Sequence, residues 1–380
     1  MPWKEATEMS LRVELVTEAL QEGANIRQLC QRFGISRKTA YKWIKRYQDG
    51  GVEDLIDRSR RPLHSPMKSN PEVEKVVVEM RQEHPVWGAR KIQARLKALK
   101  KPIPASHNTI TAILHRHELI ESQESIKHTA YRRFERDAPN QLWQMDFKGY
   151  FSLQSGGFCH PLTVLDDHSR FLIGLQACPN EKSITVKERL TALFQAYGLP
   201  ERMLMDNGSP WGTDPDSRYT ILTVWLMRLG IAISHGRPYH PQTQGKDERL
   251  HRTLIAEVLR DLEPVDLPTC QTSFDAWRYL YNYERPHESL DLEPPSSRYQ
   301  ASPHPFPEKL PLVTYDEHEI IRKVDSAGRI SFLNRAIRVG KAFRGFPVAI
   351  RKSELERLYE VYFCSQKVVN IPFDDHNDED

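Results

Sequence analysis

The spacing of apolar residues predicts three helices within the first 56 residues. An apolar stripe runs through Ser10–Glu22, and a short helix follows Asn25, whose side chain suits an N-cap. A third helix begins at Arg37, after the turn Gly34–Ser36, and its apolar residues recur at i, i+3, i+4 and i+7. Helix, short helix, glycine turn and helix form the helix-turn-helix layout. The pattern therefore predicts such a domain over residues 1–56.

The polar face of that third helix is basic. Because the last helix of a helix-turn-helix domain enters the major groove, five side chains are expected to meet DNA. They are Arg37, Lys38, Tyr41, Lys42 and Lys45. A three-helix bundle with a solvated basic face is the alternative. The segment 57–70 reads as a basic, proline-containing linker lying along phosphates, and its expected contacts are Arg58, Arg60 and Arg61.

A second helical module is predicted over residues 71–120. Its third helix is expected to begin at Ser106, an N-cap residue, and to present the short polar groups of Ser106, His107 and Asn108 to base edges. The layout again resembles a helix-turn-helix domain. Basic residues are fewer on this helix, so a protein–protein role competes with DNA binding. A linker is expected over residues 121–140.

The periodicity changes beyond residue 140, where short apolar runs predict strands. Three strands, a helix and a fourth strand describe a mixed α/β sheet, which we assign to residues 141–290. The predicted elements are strands at Leu142–Leu153, Phe158–Leu165, Phe171–Ala177 and Arg202–Met205, with helices at Ser183–Tyr197, at Tyr219–Leu229 and from Lys246 onward.

Three acidic residues stand out in this region. Asp146 lies inside an apolar strand, where an unpaired carboxylate is costly to bury. Asp206 follows the fourth strand, so the two aspartates are expected to lie side by side. Glu248 precedes His251 by three residues and Ile255 by seven, a spacing that predicts a side chain facing the sheet. A salt bridge, a turn and a helix N-terminus are the respective alternatives.

The last ninety residues predict a smaller domain. Residues 291–311 read as a proline-rich connector, and residues 312–372 hold five short apolar runs typical of a small β-barrel. The turn Asp325–Gly328 is expected to join the first two strands as a hairpin. Residues 373–380 are mostly acidic and read as a disordered tail.

The net charge of +3 hides an uneven distribution. Residues 1–140 hold 26 Lys and Arg against 18 Asp and Glu, whereas the other 240 hold 28 against 33, so an anionic partner is expected at the front of the chain. No apolar run approaches the ~20 residues of a membrane span, and no signal segment is recognisable. Five scattered cysteines without a C-x-x-C pair exclude a cysteine zinc site and are typical of a reducing cytoplasm.

The ordered motifs W-Q-M-D-F, L-D-D-H-S-R, D-N-G-S, P-Y-H-P-Q-T-Q-G-K-D-E-R and N-Y-E-R-P-H resemble the catalytic core of the retroviral-integrase and insertion-sequence transposase superfamily. The resemblance implies a ribonuclease H-like fold. It also implies that Asp146, Asp206 and Glu248 bind two Mg²⁺ ions, which Mn²⁺ can replace. Without metal such acids repel one another, so at least one raised pKa is expected. The 41 residues between Asp206 and Glu248 exceed the retroviral spacing.

Other polar residues near these motifs receive separate interpretations. Arg237, His240 and Lys246 are expected to contact DNA near the active site, with purely structural roles as the alternative. Asp166 and Asp167 look like a metal pair, but we interpret them as a strand-end turn with His168 and Arg170 nearby.

The leading hypothesis is a DNA transposase that acts as a multimer on double-stranded DNA and bridges two element ends. The resemblance implies that water first frees a 3′-hydroxyl at the element end, which then attacks target DNA. A DNA-binding regulator with an inactive core is one alternative, and a ribonuclease H-like nuclease without strand transfer is another. A cytoplasmic, nucleoid-associated location in a bacterium is expected.

Overall fold

The computed structural model describes residues 7–58, 69–120, 135–212, 219–236, 245–354 and 358–372. The chain divides into two compact units, Met1–Lys68 and Ser69–Asp380, which are described separately. Within the described residues, no helix has the length and apolar character needed to cross a membrane.

The first unit confirms the three predicted helices. An N-cap side chain opens each of them: Thr7, Asn25 and Ser36 accept hydrogen bonds from backbone N–H groups of the first turn. The helices are α1 (Glu8–Ala19), α2 (Ile26–Arg32) and α3 (Arg37–Gly50). Their shared core consists of Leu15, Val16, Cys30, Ala40, Trp43, Ile44 and Leu55. The buried face of α3 therefore leaves its basic face to solvent.

The second unit opens with another three-helix module. Its helices are α4 (Pro71–Glu83), α5 (Ala89–Ala98) and α6 (His107–Arg116). Val77, Ile92 and Ile110, one from each helix, are fully buried together. Leu280, from the domain that follows, also packs against this cluster, so the module is attached to that domain.

The central domain is a six-stranded sheet with helices on both faces. Its strands are β1 (Trp143–Phe147), β2 (Phe151–Ser152), β3 (Phe158–Asp166), β4 (Leu172–Cys178), β5 (Arg202–Met205) and β6 (Ala232–His235). The order is β2-β3-β1-β5-β6, with β4 also paired to β3. Strands β1, β5 and β6 are parallel, whereas β3 is antiparallel to β1 and β4. The mixed α/β sheet predicted from the sequence is confirmed.

Apolar side chains divide the helices between the two faces. Helices α7 (Ser183–Tyr197) and α8 (Ile221–Arg228) contribute to the core that contains Trp143 and Met203. Helices α9 (Gly245–Leu254) and α10 (Leu267–Tyr283) contribute to the core that contains Leu172 and Leu175. A π-helical turn, Ile255–Leu259, extends α9. The sheet is thus the middle of three layers.

The motif N-Y-E-R-P-H fastens α10 to its neighbours. The Asn282 amide accepts a hydrogen bond from the Leu172 N–H (2.7 Å) and donates one to the Leu172 carbonyl (3.0 Å). Two residues on, Glu284 forms an ion pair with Arg95 of α5. The motif therefore joins the sheet to the second helical module.

His287 ends this motif in a buried position, and we predict that it makes the protein acid-sensitive. Burial, and next the positive charges of Arg285 and Arg170, lower the pKa of His287 to about 3. Below its ordinary pKa of about 6.5 the imidazole binds a proton in the unfolded chain but not in the folded one. Stability should therefore fall by about 2 kcal/mol between pH 7.5 and pH 5. The free energy of unfolding of His287→Gln, measured by urea denaturation, should lack that part of the pH dependence. If it changed with pH in parallel with that of the wild type, His287 would not be the cause of the acid sensitivity.

The segment predicted as a connector, residues 291–311, is packed against the core. The Tyr299 ring stacks on the buried ring of Phe171, with 4.1 Å between ring centres, and Phe306 stacks on Phe194. The proline-rich connector therefore also contributes to the packing of the sheet domain. Aromatic residues between the prolines provide apolar surface that the sheet domain buries.

The C-terminal domain contains two antiparallel sheets. Its strands are β7 (Ile320–Lys323), β8 (Arg329–Phe332), β9 (Arg335–Arg338), β10 (Pro347–Lys352), β11 (Leu358–Phe363) and β12 (Gln366–Pro372). The sheets have the orders β12-β11-β10-β7 and β8-β9. The described residues thus hold six strands where five were predicted. The predicted hairpin of the first two is wrong, because β7 pairs with β10 and β8 with β9.

Candidate active site and nucleic-acid interface

The first two predicted acids lie at the ends of neighbouring parallel strands. Gln144 of β1 is level with Leu204 of β5. Continuing that register by two residues brings Asp146 level with Asp206, which follows β5 directly. Neighbouring strands are about 4.8 Å apart, and side chains two residues apart share a face. Both carboxylates therefore leave the same face of the sheet.

Both aspartates have a raised pKa. Burial, and then the negative charge of Asp206, raise the pKa of Asp146 to about 6. Burial also raises the pKa of Asp206, although the Gly208 N–H, 3.0 Å from Oδ1, opposes that shift. A raised pKa is what was expected for adjacent acids without a cation. The His235 ring supports the same strand end, since its Nδ1 lies 2.9 Å from the Asp206 carbonyl oxygen.

Helix α9 presents a different acid to the sheet than the one predicted. Its buried stripe consists of Asp247, Leu250, His251 and Leu254, whereas Glu248 is exposed. The orientation predicted for Glu248 is therefore wrong, because the two leucines determine which face of the helix packs. Glu248 keeps its place in the first turn of α9, one residue from a buried acid.

Asp247 was missed by the sequence analysis. Its side chain is 2% exposed, and its Oδ1 has no hydrogen-bond partner among the described atoms. Burial, and next the charge of Asp146, raise the pKa of Asp247 well above its ordinary value. The adjacent letters D and E in the sequence reveal two acids but not which of them faces inward.

Glu181 is a second acid that no motif marked. It lies between β4 and α7, and its Oε1 is 2.9 Å from the His160 Nδ1. After burial, its negative charge is a further cause of the raised pKa of Asp146 and of Asp206. Only its position between a strand end and a helix start could have indicated it.

The donor atoms in this region suit a hard divalent cation. No three His, Cys, Asp or Glu side chains in the described parts of the chain are close enough together to hold a metal ion. Asp146 and Asp206 nevertheless share a face, where the charge of Asp206 contributes to the raised pKa of Asp146, and the buried Asp247 Oδ1 has no hydrogen-bond partner among the described atoms. Carboxylate oxygens are the ligands that Mg²⁺ and Mn²⁺ prefer. A bound cation would stabilise the charged form of Asp146 and could also interact with the Asp247 Oδ1.

Asp166 and Asp167 have internal partners. Asp166 accepts hydrogen bonds from the Ser169 N–H (2.8 Å) and the Asn140 N–H (2.7 Å). Asp167, which is fully buried, accepts one from the Gln144 amide and forms an ion pair with Lys246. These contacts match a strand-end turn. They also pair the partly buried Lys246 side chain with Asp167, and its predicted DNA contact stays a prediction.

The five side chains predicted to meet DNA on α3 are all exposed. The Lys42 ammonium lies 4.1 Å from the centre of the Trp43 ring, and the Arg58 guanidinium of the predicted linker pairs with Asp54 at 2.7 Å. At the start of α6, Ser106 accepts a hydrogen bond from the Asn108 N–H, as predicted for an N-cap. Arg60, Arg61, Arg237 and His240 lie outside the described residues.

Family models match most of the chain in segments. A helix-turn-helix domain model matches residues 11–62, and a homeodomain-like domain model matches residues 39–114. Two integrase core domain models match residues 136–241 and 229–295, and the C-terminal domain model of IS481 family transposases matches residues 319–379.

Two curated relatives are similar to the chain over most of its length. The insertion element IS407 uncharacterized 31.7 kDa protein of Burkholderia multivorans is 24% identical over 64% of this chain and 87% of its own. The transposase for transposon Tn552 of Staphylococcus aureus is 24% identical over 72% of this chain and 63% of its own. The chain therefore spans less than two thirds of the Tn552 transposase.

Solved integrase structures are more distant. One is a simian T-cell lymphotropic virus intasome in complex with PP2A regulatory subunit B56 gamma. The alignment covers 73% of this chain and 95% of the intasome chain, with 16% identity and a TM-score of 0.37. Another is the HTLV-2 integrase catalytic core domain in complex with magnesium. Its alignment covers 38% of this chain and 88% of the integrase chain, with 17% identity and a TM-score of 0.30.

The helix-turn-helix matches and the integrase core define a polynucleotidyl transferase that binds DNA, with a ribonuclease H-like catalytic domain. Together with the IS481-type C-terminal domain and the two curated relatives, they give the chain the set of domains of an insertion-sequence transposase.

Proposed function

We propose that this transposase cuts and joins DNA at the ends of its element with two divalent cations held by Asp146, Asp206 and Glu248. The observation that carries the proposal is the pairing of Asp146 and Asp206 on one face of the sheet, where burial and then the charge of Asp206 raise the pKa of Asp146 to about 6. In this proposal the third ligand, Glu248, comes from the first turn of α9, where its side chain is exposed.

The two aspartates are held by the backbone of neighbouring strands. Asp146 belongs to a central strand and Asp206 follows its neighbour, so the sheet fixes both carboxylates before DNA binds. Bound Mg²⁺ would stabilise charge on the attacking and leaving oxygens of a phosphodiester. Hydrolysis frees a 3′-hydroxyl at the element end, and that hydroxyl then attacks target DNA. Neither step requires a nucleophile from the protein.

Metal dependence is tested with a duplex that carries the terminal inverted repeat flanking the gene. We expect cleaved and joined products with Mg²⁺ or Mn²⁺, and neither product with EDTA. Cleavage without joining would favour a ribonuclease H-like nuclease. Products in EDTA would contradict the proposed chemistry.

The proposed partners are the terminal inverted repeats and the target DNA. One chain supplies one pair of neighbouring aspartates, whereas transposition processes two ends, so we propose a homo-oligomer assembled on DNA. Because the substrate is chromosomal, the enzyme would work beside the bacterial nucleoid. Light scattering of the DNA complex should give a protein mass of at least two chains. A complex that contains two element ends and a single protein chain would contradict this.

We further propose that the basic face of α3 contacts phosphates through Lys42. Each phosphate contact contributes about 0.9 to the slope of log K against log salt concentration. Lys42→Ala should therefore weaken binding to all sequences and lower the slope by about one, whereas Lys42→Arg, which keeps the charge, should leave it unchanged. Fluorescence anisotropy at several salt concentrations measures this slope. An unchanged slope in Lys42→Ala would place α3 away from the DNA backbone.

A further inference from the structure

His251 lies on the buried stripe of α9, against the strand that carries Asp146. The residue is 8% exposed, and its Nε2 is 2.9 Å from the hydroxyl oxygen of Thr163 on β3. Thr163 is fully buried and directly opposite Asp146 in the antiparallel ladder of β1 and β3. The three residues therefore connect a helix and two strands at the candidate active site.

The direction of the hydrogen bonds follows from the single proton of the Thr163 hydroxyl. That hydroxyl donates to the Asp146 carbonyl oxygen at 3.0 Å. Its oxygen can then only accept from the ring, so His251 carries a proton on Nε2. A continuous chain of donors runs from His251 through Thr163 to the backbone of Asp146.

The other ring nitrogen faces the Asp146 carboxylate. The His251 Nδ1 lies 3.9 Å from the Asp146 Oδ2, beyond hydrogen-bond distance. At that distance this approach of the ring to the carboxylate is not a hydrogen bond. The ordered contact of the ring is therefore its Nε2–H bond to Thr163.

We infer that His251 is a positioning residue, which holds Asp146 in place through the Thr163 hydroxyl. The inference rests on the proposed function, because the position of Asp146 matters for catalysis only if that carboxylate holds a cation. The same bond also fixes α9 on the sheet, and α9 carries Glu248 one turn before His251. This contact therefore joins the helix and the strand that carry two of the three proposed ligands.

Three substitutions separate this role from simple packing. Gln places an amide nitrogen near the position of Nε2, so His251→Gln can keep the bond to Thr163. Asn places its amide near the position of Nδ1, so His251→Asn cannot reach Thr163. Thr163→Val keeps the shape of the side chain but removes the hydroxyl. All three variants keep the acids intact.

The experiment measures joining kinetics, and Mn²⁺ binding by electron paramagnetic resonance, for the full-length protein. We expect His251→Asn and Thr163→Val to lower the turnover number and the Mn²⁺ affinity about 10- to 100-fold, with an unchanged KM for DNA. His251→Gln should stay within about threefold of the wild type. Because both residues act through one chain, the double variant His251→Asn/Thr163→Val should lose no more than Thr163→Val alone.

Several outcomes would overturn the inference. If Asn preserves Mn²⁺ affinity and Gln does not, the Nδ1 edge rather than the Thr163 bond is what matters. If losses simply follow the unfolding temperatures of the variants, His251 only packs the core. A wild-type protein that joins no DNA would defeat the proposed function, whereas the Mn²⁺ measurement would still decide whether His251 positions Asp146.

Discussion

Replacing Asp146 by Asn is expected to abolish cleavage and joining of DNA, with a loss of about a thousandfold or more. Metal ions stabilise transition-state charge by several kcal/mol, and each 1.36 kcal/mol corresponds to a tenfold change in rate. Asn keeps the size of the side chain but removes the charge that a cation requires. The measurement is the rate of joined product in the Mg²⁺-dependent assay.

The matched control is Glu201→Gln, which removes an exposed acid at the other end of the strand leading to Asp206. This variant should join DNA at the wild-type rate. Asp146→Asn should bind DNA as the wild type does, because the helix-turn-helix domains are unchanged. A wild-type protein that binds DNA but neither cuts nor joins it would favour the regulator with an inactive core. Full activity in Asp146→Asn would remove this residue from the catalytic site.

Replacing Arg285 by Met is expected to destabilise the second unit by about 3–5 kcal/mol. The Arg285 Nε lies 2.9 Å from the Glu257 Oε1, and both side chains are 8% exposed. The Trp277 indole N–H also donates to this carboxylate, at 3.0 Å. Removing the arginine leaves a buried negative charge without its ionic partner, which is the costly half of a broken ion pair. Urea denaturation followed by tryptophan fluorescence measures the loss.

The double variant Arg285→Met/Glu257→Met is the control for that prediction. Replacing both partners by apolar side chains of similar volume is often neutral, so the double variant should recover much of the lost stability. A single variant that loses less than about 1 kcal/mol would mean that solvent reaches the Glu257 carboxylate. The pair would then have no structural role between the π-helical turn and α10.

The sequence was sufficient to locate the two aspartates because local patterns determine strands. Asp146 interrupts an apolar run, and Asp206 follows one, so the first could be assigned to the inside of a strand and the second to a strand end. Their pairing depends on β1 and β5 being neighbours, although 54 residues separate the two strands along the chain. The predicted strands allowed this long-range contact, and the order of the motifs supported it.

The inward face of α9 could not be predicted from spacing alone. Both Asp247 and Glu248 fall at helical intervals from later apolar residues, so two registers were consistent with the sequence. Leu250 and Leu254 are buried in the structure, whereas Ile255 begins a π-helical turn and is partly exposed. Ile255 lies seven residues after Glu248 and is exposed like it, so the spacing between the two residues did not indicate the buried face.

Errors in the C-terminal part have a similar origin. Asp325–Gly328 does form a turn, since the Asp325 N–H bonds to the Arg329 carbonyl at 2.8 Å. The strands on either side nevertheless pair with partners further along the chain. Turn chemistry is local, whereas the choice of partner depends on which apolar faces can be buried together.

The central claim is that Asp146, Asp206 and Glu248 converge on two divalent cations. Anomalous diffraction from crystals of the DNA complex grown with Mn²⁺ tests it most directly. We predict two manganese peaks about 3.5–4 Å apart, with oxygen ligands from all three side chains. Peaks held without Glu248, for example by Asp247 or Glu181 in its place, or a site without manganese, would contradict the claim.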